Sequence, residues 1–239
     1  MATGTIQNQD KFLDKIANQL GRKRQTKEVE LPAWKKAPQY DVFKGLSMDE
    51  LLAQFVIQCE KIHANVVVTK MNELEEIFHE VIQKLGGESI VYWNDSRFET
   101  YGLTAALTQE KEEGISVHEW KSDLGKKNIE IAERANIGIT FSDITLAESG
   151  TVVLLSDSGK ARSVSLLPQK HLAIIPKSTI VPRMTQASEK IHEISKNEGR
   201  TPSCINFISG PSNSADIELR LVVGVHGPVE VTYIVIDDM

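Results

Sequence analysis

Lys126–Leu155, KKNIEIAERANIGITFSDITLAESGTVVLL, decides the fold class. Lys126–Ala135 reads as a helix and Ile137–Phe141 as a strand. Thr151–Leu155 reads as a second strand after a loop of small and acidic residues. Both strands are short, largely apolar runs, as expected where a sheet is covered on both faces. Working outward, Ser89–Trp93 and Ile115–Trp120 precede them as strands. His171–Ile175, Cys204–Ile208, Leu219–Val225 and Val229–Ile236 follow, with a helix over Val181–Asn197 that Gly199 ends. This alternation predicts an α/β fold with a mainly parallel central sheet flanked by helices. The closing strands have little helix between them, so some pairs are expected to be antiparallel.

Toward the amino terminus the pattern changes. Phe12, Leu13, Ile16, Ala17 and Leu20 share one face of a helix over Asp10–Leu20, and Gly21 is its expected stop. Arg22–Gln39 is charged, contains Pro32 and Pro38, and predicts an extended arm anchored by Trp34. Residues 1–40 are therefore expected as an N-terminal helical extension, and 41–239 as the α/β domain. Ser47 and Glu50 form a candidate capping box ahead of Leu51, Leu52, Phe55, Val56, Cys59 and Ile62. A further helix runs near Asn72–Leu85 and stops at Gly86-Gly87.

Composition narrows the function classes. A formal charge of −6 disfavours a general nucleic-acid binder, which needs a basic face. No apolar run approaches the ~20 residues that span a bilayer. Asp10, Lys11, Asp14 and Lys15 interrupt any signal-peptide core, so a cytoplasmic location is expected. Cys59 and Cys204 are the two cysteines. An iron–sulfur cluster normally takes about four thiolates, so this chain is expected to hold none by itself. Cys59 lies on a helical apolar stripe and reads as a core thiol.

Three polar segments could carry chemistry. The first, Ser142–Thr151, places Asp143 and Glu148 near a sheet edge. Partial burial raises a carboxyl pKa and suits it to act as base or nucleophile. Gly150 permits a sharp turn there. A tight turn whose carboxylates cap backbone amides is an equal reading. The second, Ser156–Ser163, carries an Asp157-Ser158-Gly159 hairpin turn and Arg162, whose fork can hold a carboxylate or phosphate or simply form a surface ion pair. It leads to His171, at the start of an apolar strand, where a satisfied structural histidine is the alternative to a catalytic one. The third, Ile208–Glu218, offers Ser209, Gly210, Pro211 and Ser212 as an anion cradle, then a short helical turn. Gly224-Val225-His226-Gly227-Pro228 follows as a turn. P-loop, dinucleotide, zinc and Gly-x-Ser-x-Gly patterns do not occur, and no metal site is expected.

Taken in order, these segments resemble a known family. Gly138-Ile139-Thr140 through Asp143 and Leu146-Ala147-Glu148-Ser149-Gly150-Thr151 are similar to its central signature. Ser165-Leu166-Leu167-Pro168 with His171, then Ile208–Ser212 with Ala215-Asp216-Ile217-Glu218, continue it, and Gly224–Pro228 closes it. Together they resemble the lactate utilization protein C family and its LUD domain, from roughly Asp41 to the C-terminus.

The resemblance implies a fold similar to the sugar-phosphate isomerase and CoA-transferase group. It also implies work with two iron–sulfur partner proteins that oxidise L-lactate to pyruvate, no cofactor in this chain, and a small carboxylate as ligand. Glu148-Ser149-Gly150 is similar to the Glu-Asn-Gly motif of the CoA-transferases, with Ser149 in place of asparagine. The implied catalytic groups are Glu148 and Asp143. The implied substrate or anion contacts are Ser149, Gly150, Thr151, Arg162, His171, Ser209, Gly210, Pro211, Ser212, Asp216, Glu218, His226 and Gly227. The alternatives are a free-standing acyl- or CoA-handling enzyme using Glu148, or a scaffold or regulatory subunit with a degenerate site.

Overall fold

Ile137–Phe141 (β4), buried along its whole length, lies inside the larger of two main sheets. The computed structural model describes residues 6–26, 35–199, 201–217 and 219–239. Trp34, Pro32 and Glu218 lie outside the described residues. The chain divides into two units, Met1–Pro38 and Gln39–Met239. In the first, Gln9–Gln19 forms helix α1, and Arg24 pairs with Asp10 at 2.8 Å.

The second unit opens with helix α2 (Met48–Lys61). The expected capping box is present: the Glu50 N–H donates to the Ser47 hydroxyl, and the Ser47 N–H donates to the Glu50 carboxylate. Strand β1 (Asn65–Thr69), helix α3 (Leu74–Lys84), strand β2 (Ser89–Tyr92) and helices α4 (Arg97–Thr100) and α5 (Leu103–Glu112) follow. Strand β3 (Ser116–Glu119) and helix α6 (Lys126–Arg134) lead into β4. Beyond it come β5 (Ile144–Leu146), β6 (Thr151–Ser156), α7 (Ser163–Leu166), β7 (Lys170–Pro176), β8 (Ile180–Val181) and α8 (Met184–Glu198). The chain closes with β9 (Cys204–Ser209), β10 (Asn213–Ile217), β11 (Arg220–Val223) and β12 (Glu230–Ile236).

The larger sheet has the order β1-β12-β7-β4-β2-β3, and every neighbouring pair in it is parallel. Burial explains the order. The central strands β4, β7 and β12 are apolar on both faces and nearly sealed, whereas the edge strands β1 and β3 are partly exposed. The second sheet, β8-β5-β6-β9, buries Ile144, Leu146, Val153 and Leu155 against Val181 and Ala187 as its own small core.

Some pairs among the closing strands are antiparallel, as expected, although β12 runs parallel to both neighbours, inserted between β1 and β7. The antiparallel pairs are β5–β6, β6–β9 and β10–β11. The segment after Ser212, expected as a helical turn, is strand β10. Asp157-Ser158-Gly159 does not join two hairpin strands but links β6 to α7. There the Asp157 carboxylate accepts the N–H groups of Gly159 and Lys160 at 2.8 and 2.9 Å.

Two glycines fix the packing. A Cβ at Gly138 would lie 1.8 Å from the Val164 carbonyl oxygen, so α7 can press on β4 only at this glycine. Gly150 has φ +63°, and a Cβ there would lie 2.9 Å from Ile62 and 3.1 Å from the Cys59 sulfur.

Candidate functional site at the carboxyl ends of two parallel strands

The strand order reverses once in a way that matters for chemistry. From β2 the chain moves outward to β3, then crosses back over β2 to place β4 on the other side. Loops leaving the carboxyl ends of β2 and β4 therefore part in opposite directions and open a crevice. In open α/β sheets this is where ligands bind.

Four charged groups meet in that crevice. Asp95 and Arg97 leave β2, Asp143 leaves β4, and Lys160 reaches in from the β6–α7 turn. The Arg97 guanidinium donates through Nε to both Asp95 oxygens at 3.0 Å and through Nη2 to Asp95 at 2.6 Å and Asp143 at 2.9 Å. It also sits 4.8 Å from the centre of the Phe141 ring. Asp143 further accepts the Leu155 N–H at 2.8 Å. Lys160 stands farther off, 3.8 Å from Asp143 and 3.6 Å from Asp157.

Burial pushes the Asp143 carboxyl above its ordinary value, against the pull of Arg97 and Lys160. At Asp95 burial acts in the same sense, but the Arg97 hydrogen bonds and charge outweigh it and hold that carboxyl below the usual range. Arg97 is thus committed to its two carboxylates, and Lys160 is the cation held by longer contacts.

The β6–α7 turn is pinned over this crevice. The Trp93 indole donates to the Ala161 carbonyl at 2.9 Å, and the Asn94 N–H donates to the Gly159 carbonyl at 3.1 Å. Clefts surround the turn. One, of about 420 Å³, is lined by Asn94, Ser96, Arg97, Asp143, Asp157 and Lys160, among others. A second, of about 480 Å³, adds Ser156, Ser158, Thr201 and Ser203 to Lys160 on its far side. Hydroxyls, the Lys160 ammonium, the Arg97 guanidinium and the carboxylates of Asp95, Asp143 and Asp157 line these spaces, which suit a small polar ligand.

The other expected site residues fall into separate places. Glu148 lies at the opposite end of β5 from Asp143, is half-buried, and accepts Arg183 Nε at 2.7 Å. Ser149, Thr151 and Ser209 form a chain of hydroxyl bonds beside it, each 2.6 Å long. Gly150 and Gly210 both press on the end of α2. Cys59 beneath them is sealed, and burial pushes its thiol up to about 12, so it stays protonated. Ser212 meets Gly227 instead, donating its N–H to the Pro228 carbonyl at 2.9 Å, and Pro211 before it is buried. His226 and Asp216 are exposed, and Asp216 accepts the Ser214 hydroxyl at 2.7 Å. Arg162 is exposed at the start of α7. His171 lies fully inside the sheet, bonded through Nε2 to the Thr140 hydroxyl at 2.9 Å. Burial lowers its pKa to about 4, so the ring is neutral at pH 7.

Sequence reading did not single out Lys160, and it missed Asp95 and Arg97. Their signal is positional: Asn94-Asp95-Ser96-Arg97 directly follows the strand that ends at the reversal of strand order, which is visible only once the order is known. Among the described residues, His79, Glu110 and Glu113 bring ligand-type atoms within 4.8 Å of one another. A 2.8 Å interhelical bond from His79 to the buried Glu110 accounts for that grouping.

Comparison with known proteins places the chain. Residues 52–236 match the LUD domain. A lactate utilization protein C of Geobacillus sp. (strain WCH70) is 58% identical over 239 residues, covering 100% of this chain and 99% of its own. The chain belongs to the lactate utilization protein C family. The Bacillus subtilis (strain 168) lactate utilization protein C is 52% identical, with 100% of both chains covered. That of Shouchella clausii (strain KSM-K16) is 54% identical over 98% of this chain and 99% of its own. The crystal structure of a DUF162 family protein from Deinococcus radiodurans is 19% identical. It covers 80% of this chain and 99% of its own at a TM-score of 0.54, and so shares the fold. In this member of the lactate utilization protein C family, Asp95, Arg97, Asp143 and Lys160 all fall within the matched LUD domain.

Proposed function

We propose that this protein takes part in the utilization of lactate by receiving a small 2-hydroxy carboxylate in the crevice at the carboxyl ends of β2 and β4. The observation that carries this reading is Lys160. It is an ammonium group whose two carboxylate contacts, 3.8 and 3.6 Å, are long enough for an incoming carboxylate to compete for it. Asn94 and Ser158 line the clefts next to it and supply hydrogen bonds to the ligand. Asp143, its carboxyl pushed up by burial, is placed to accept the hydrogen of the ligand's 2-hydroxyl. Arg97 keeps both aspartates in place.

The oxidation of L-lactate to pyruvate releases two electrons. In this proposal they leave through iron–sulfur clusters on two partner proteins in the cytoplasm, and the present chain binds and orients. The cysteine inventory supports that division, because Cys59 and Cys204 fall short of a set of cluster ligands. L-Lactate-dependent dye reduction, measured with the two partners in the presence and absence of this chain, tests the reading. Activity that requires all three supports it; full activity from the partners alone overturns it.

Glu148 carries a second reading, acyl transfer by a free-standing enzyme. It is favoured by a partly exposed carboxylate beside the Ser149–Thr151–Ser209 hydroxyl chain. A covalent acyl adduct on Glu148 after incubation with acyl-CoA, read by intact mass, is its test.

A further inference from the structure

A separate cleft of about 360 Å³ opens beside β2 and β3, on the side where α5 covers them. Its apolar surface is the Tyr92 ring with Leu107 and Val117. Its polar rim carries Lys111, Lys121, His118, Thr104, Thr108 and one carboxylate, Glu119. Two ammonium groups against one carboxylate make it locally cationic in a chain whose net charge is −6. None of these residues belongs to the Asp143 crevice.

The rim is held in place from below. Asn128 of α6, fully buried, accepts from His118 Nε2 at 3.0 Å and donates to the Lys121 carbonyl at 2.5 Å. Its Oδ1 also lies 3.5 Å from the Lys121 N–H. One buried side chain therefore fixes both the His118 ring and the backbone that carries Lys121. Tyr92 packs edge-on against Phe98 at 4.9 Å, which sets the angle of the ring at the floor. The volume falls within the range of small-molecule sites, about 300–1,000 Å³.

We propose that this cleft binds a phosphate monoester with a small apolar or aromatic body. The phosphate lies between Lys111 and Lys121, and the body lies against Tyr92, Leu107 and Val117. Thr104 donates to the phosphate oxygens, while the Thr108 hydroxyl, already donating to the Thr104 carbonyl at 2.8 Å, is an acceptor only. Glu119 disfavours ligands with a second anionic group at the far end. The site stands independently of the lactate reading.

Isothermal titration of the full chain with phenyl phosphate, inorganic phosphate and benzoate tests it. Saturable binding is expected for phenyl phosphate, at least ten-fold tighter than for either of the other two, because each of those lacks one half of the complement. Lys111→Ala/Lys121→Ala should weaken it at least ten-fold with an unchanged melting temperature, and Tyr92→Leu should weaken it several-fold. Lys160→Ala should leave it unchanged. No saturation at millimolar phenyl phosphate overturns the proposal. So does equal affinity in the double-lysine variant, or loss of binding on Lys160→Ala, which would place the ligand in the other crevice.

Discussion

The two ends of β5 carry the two carboxylates that the sequence singles out, and the fold treats them in opposite ways. Asp143, at the amino end, is pulled into the sheet, shared with Arg97 and tied to the Leu155 backbone. Glu148, at the other end, keeps 38% of its side chain in solvent and has one arginine beside it. Four residues of sequence, Ile144–Ala147, separate a built charge network from a surface ion pair. The difference comes from what lies above each end. Asp143 emerges where the strand order reverses and the β6–α7 turn closes over it, whereas Glu148 emerges at the far end of β5, beside the start of α8.

Energetics should separate the ends most sharply. Arg97→Ala leaves Asp95 and Asp143 facing each other, both largely buried and without their shared cation. Removing one partner of such a network costs about 3–5 kcal/mol, which urea unfolding at pH 7 should register. Arg183→Ala at the other end should cost less than about 1 kcal/mol, as solvent screening leaves little in an exposed pair. Equal losses at the two sites would erase the distinction.

His171 sets a second contrast, between the sealed interior of the sheet and its open carboxyl end. Its pKa falls from 6.5 to about 4 through burial, so the unfolded chain takes up this proton more readily than the folded one. Stability from this group is fully present above pH 6.5 and drains as the pH falls toward 4. The loss approaches about 3 kcal/mol at the acid end. Unfolding curves at pH 7 and pH 4.5 should show that loss in the wild type. His171→Gln, which keeps a partner for Thr140, should be flatter over the same range. An unchanged slope would place the acid sensitivity elsewhere.

A smaller effect than at Arg97 is expected at Gly150. With φ +63° and Cys59 and Ile62 in the way, Gly150→Ala should cost about 1–3 kcal/mol from strain and overpacking. The melting temperature checks it. A neutral result would mean that α2 can give way, and that the Glu148 end is softer than its hydroxyl chain implies.

Much of the fold is legible in the sequence because burial writes itself into composition. The runs at Ile137–Phe141 and His171–Ile175 are apolar on both faces and could only be interior strands. The Ser47–Glu50 capping box marks a helix start by local chemistry alone. What sequence does not carry is order. Asn65–Thr69, the edge strand β1, is short and half exposed, and nothing local says that β12 slots between it and β7. The same gap hides Arg97: its role depends on β2 and β4 being neighbours across the reversal. Asp143 is legible as a carboxylate in a polar loop. Its separation from Glu148 is not, because Ile144–Leu146 gives no sign of being a strand until β6 folds back on it.

Growth of a strain lacking this gene on L-lactate, restored with Lys160→Ala, bears most directly on the claim that the crevice between β2 and β4 is the working site. The variant should fold with a wild-type melting temperature, support normal growth on glucose and fail on lactate, while Glu148→Gln grows on both. Wild-type growth of the Lys160→Ala strain on lactate would contradict the account.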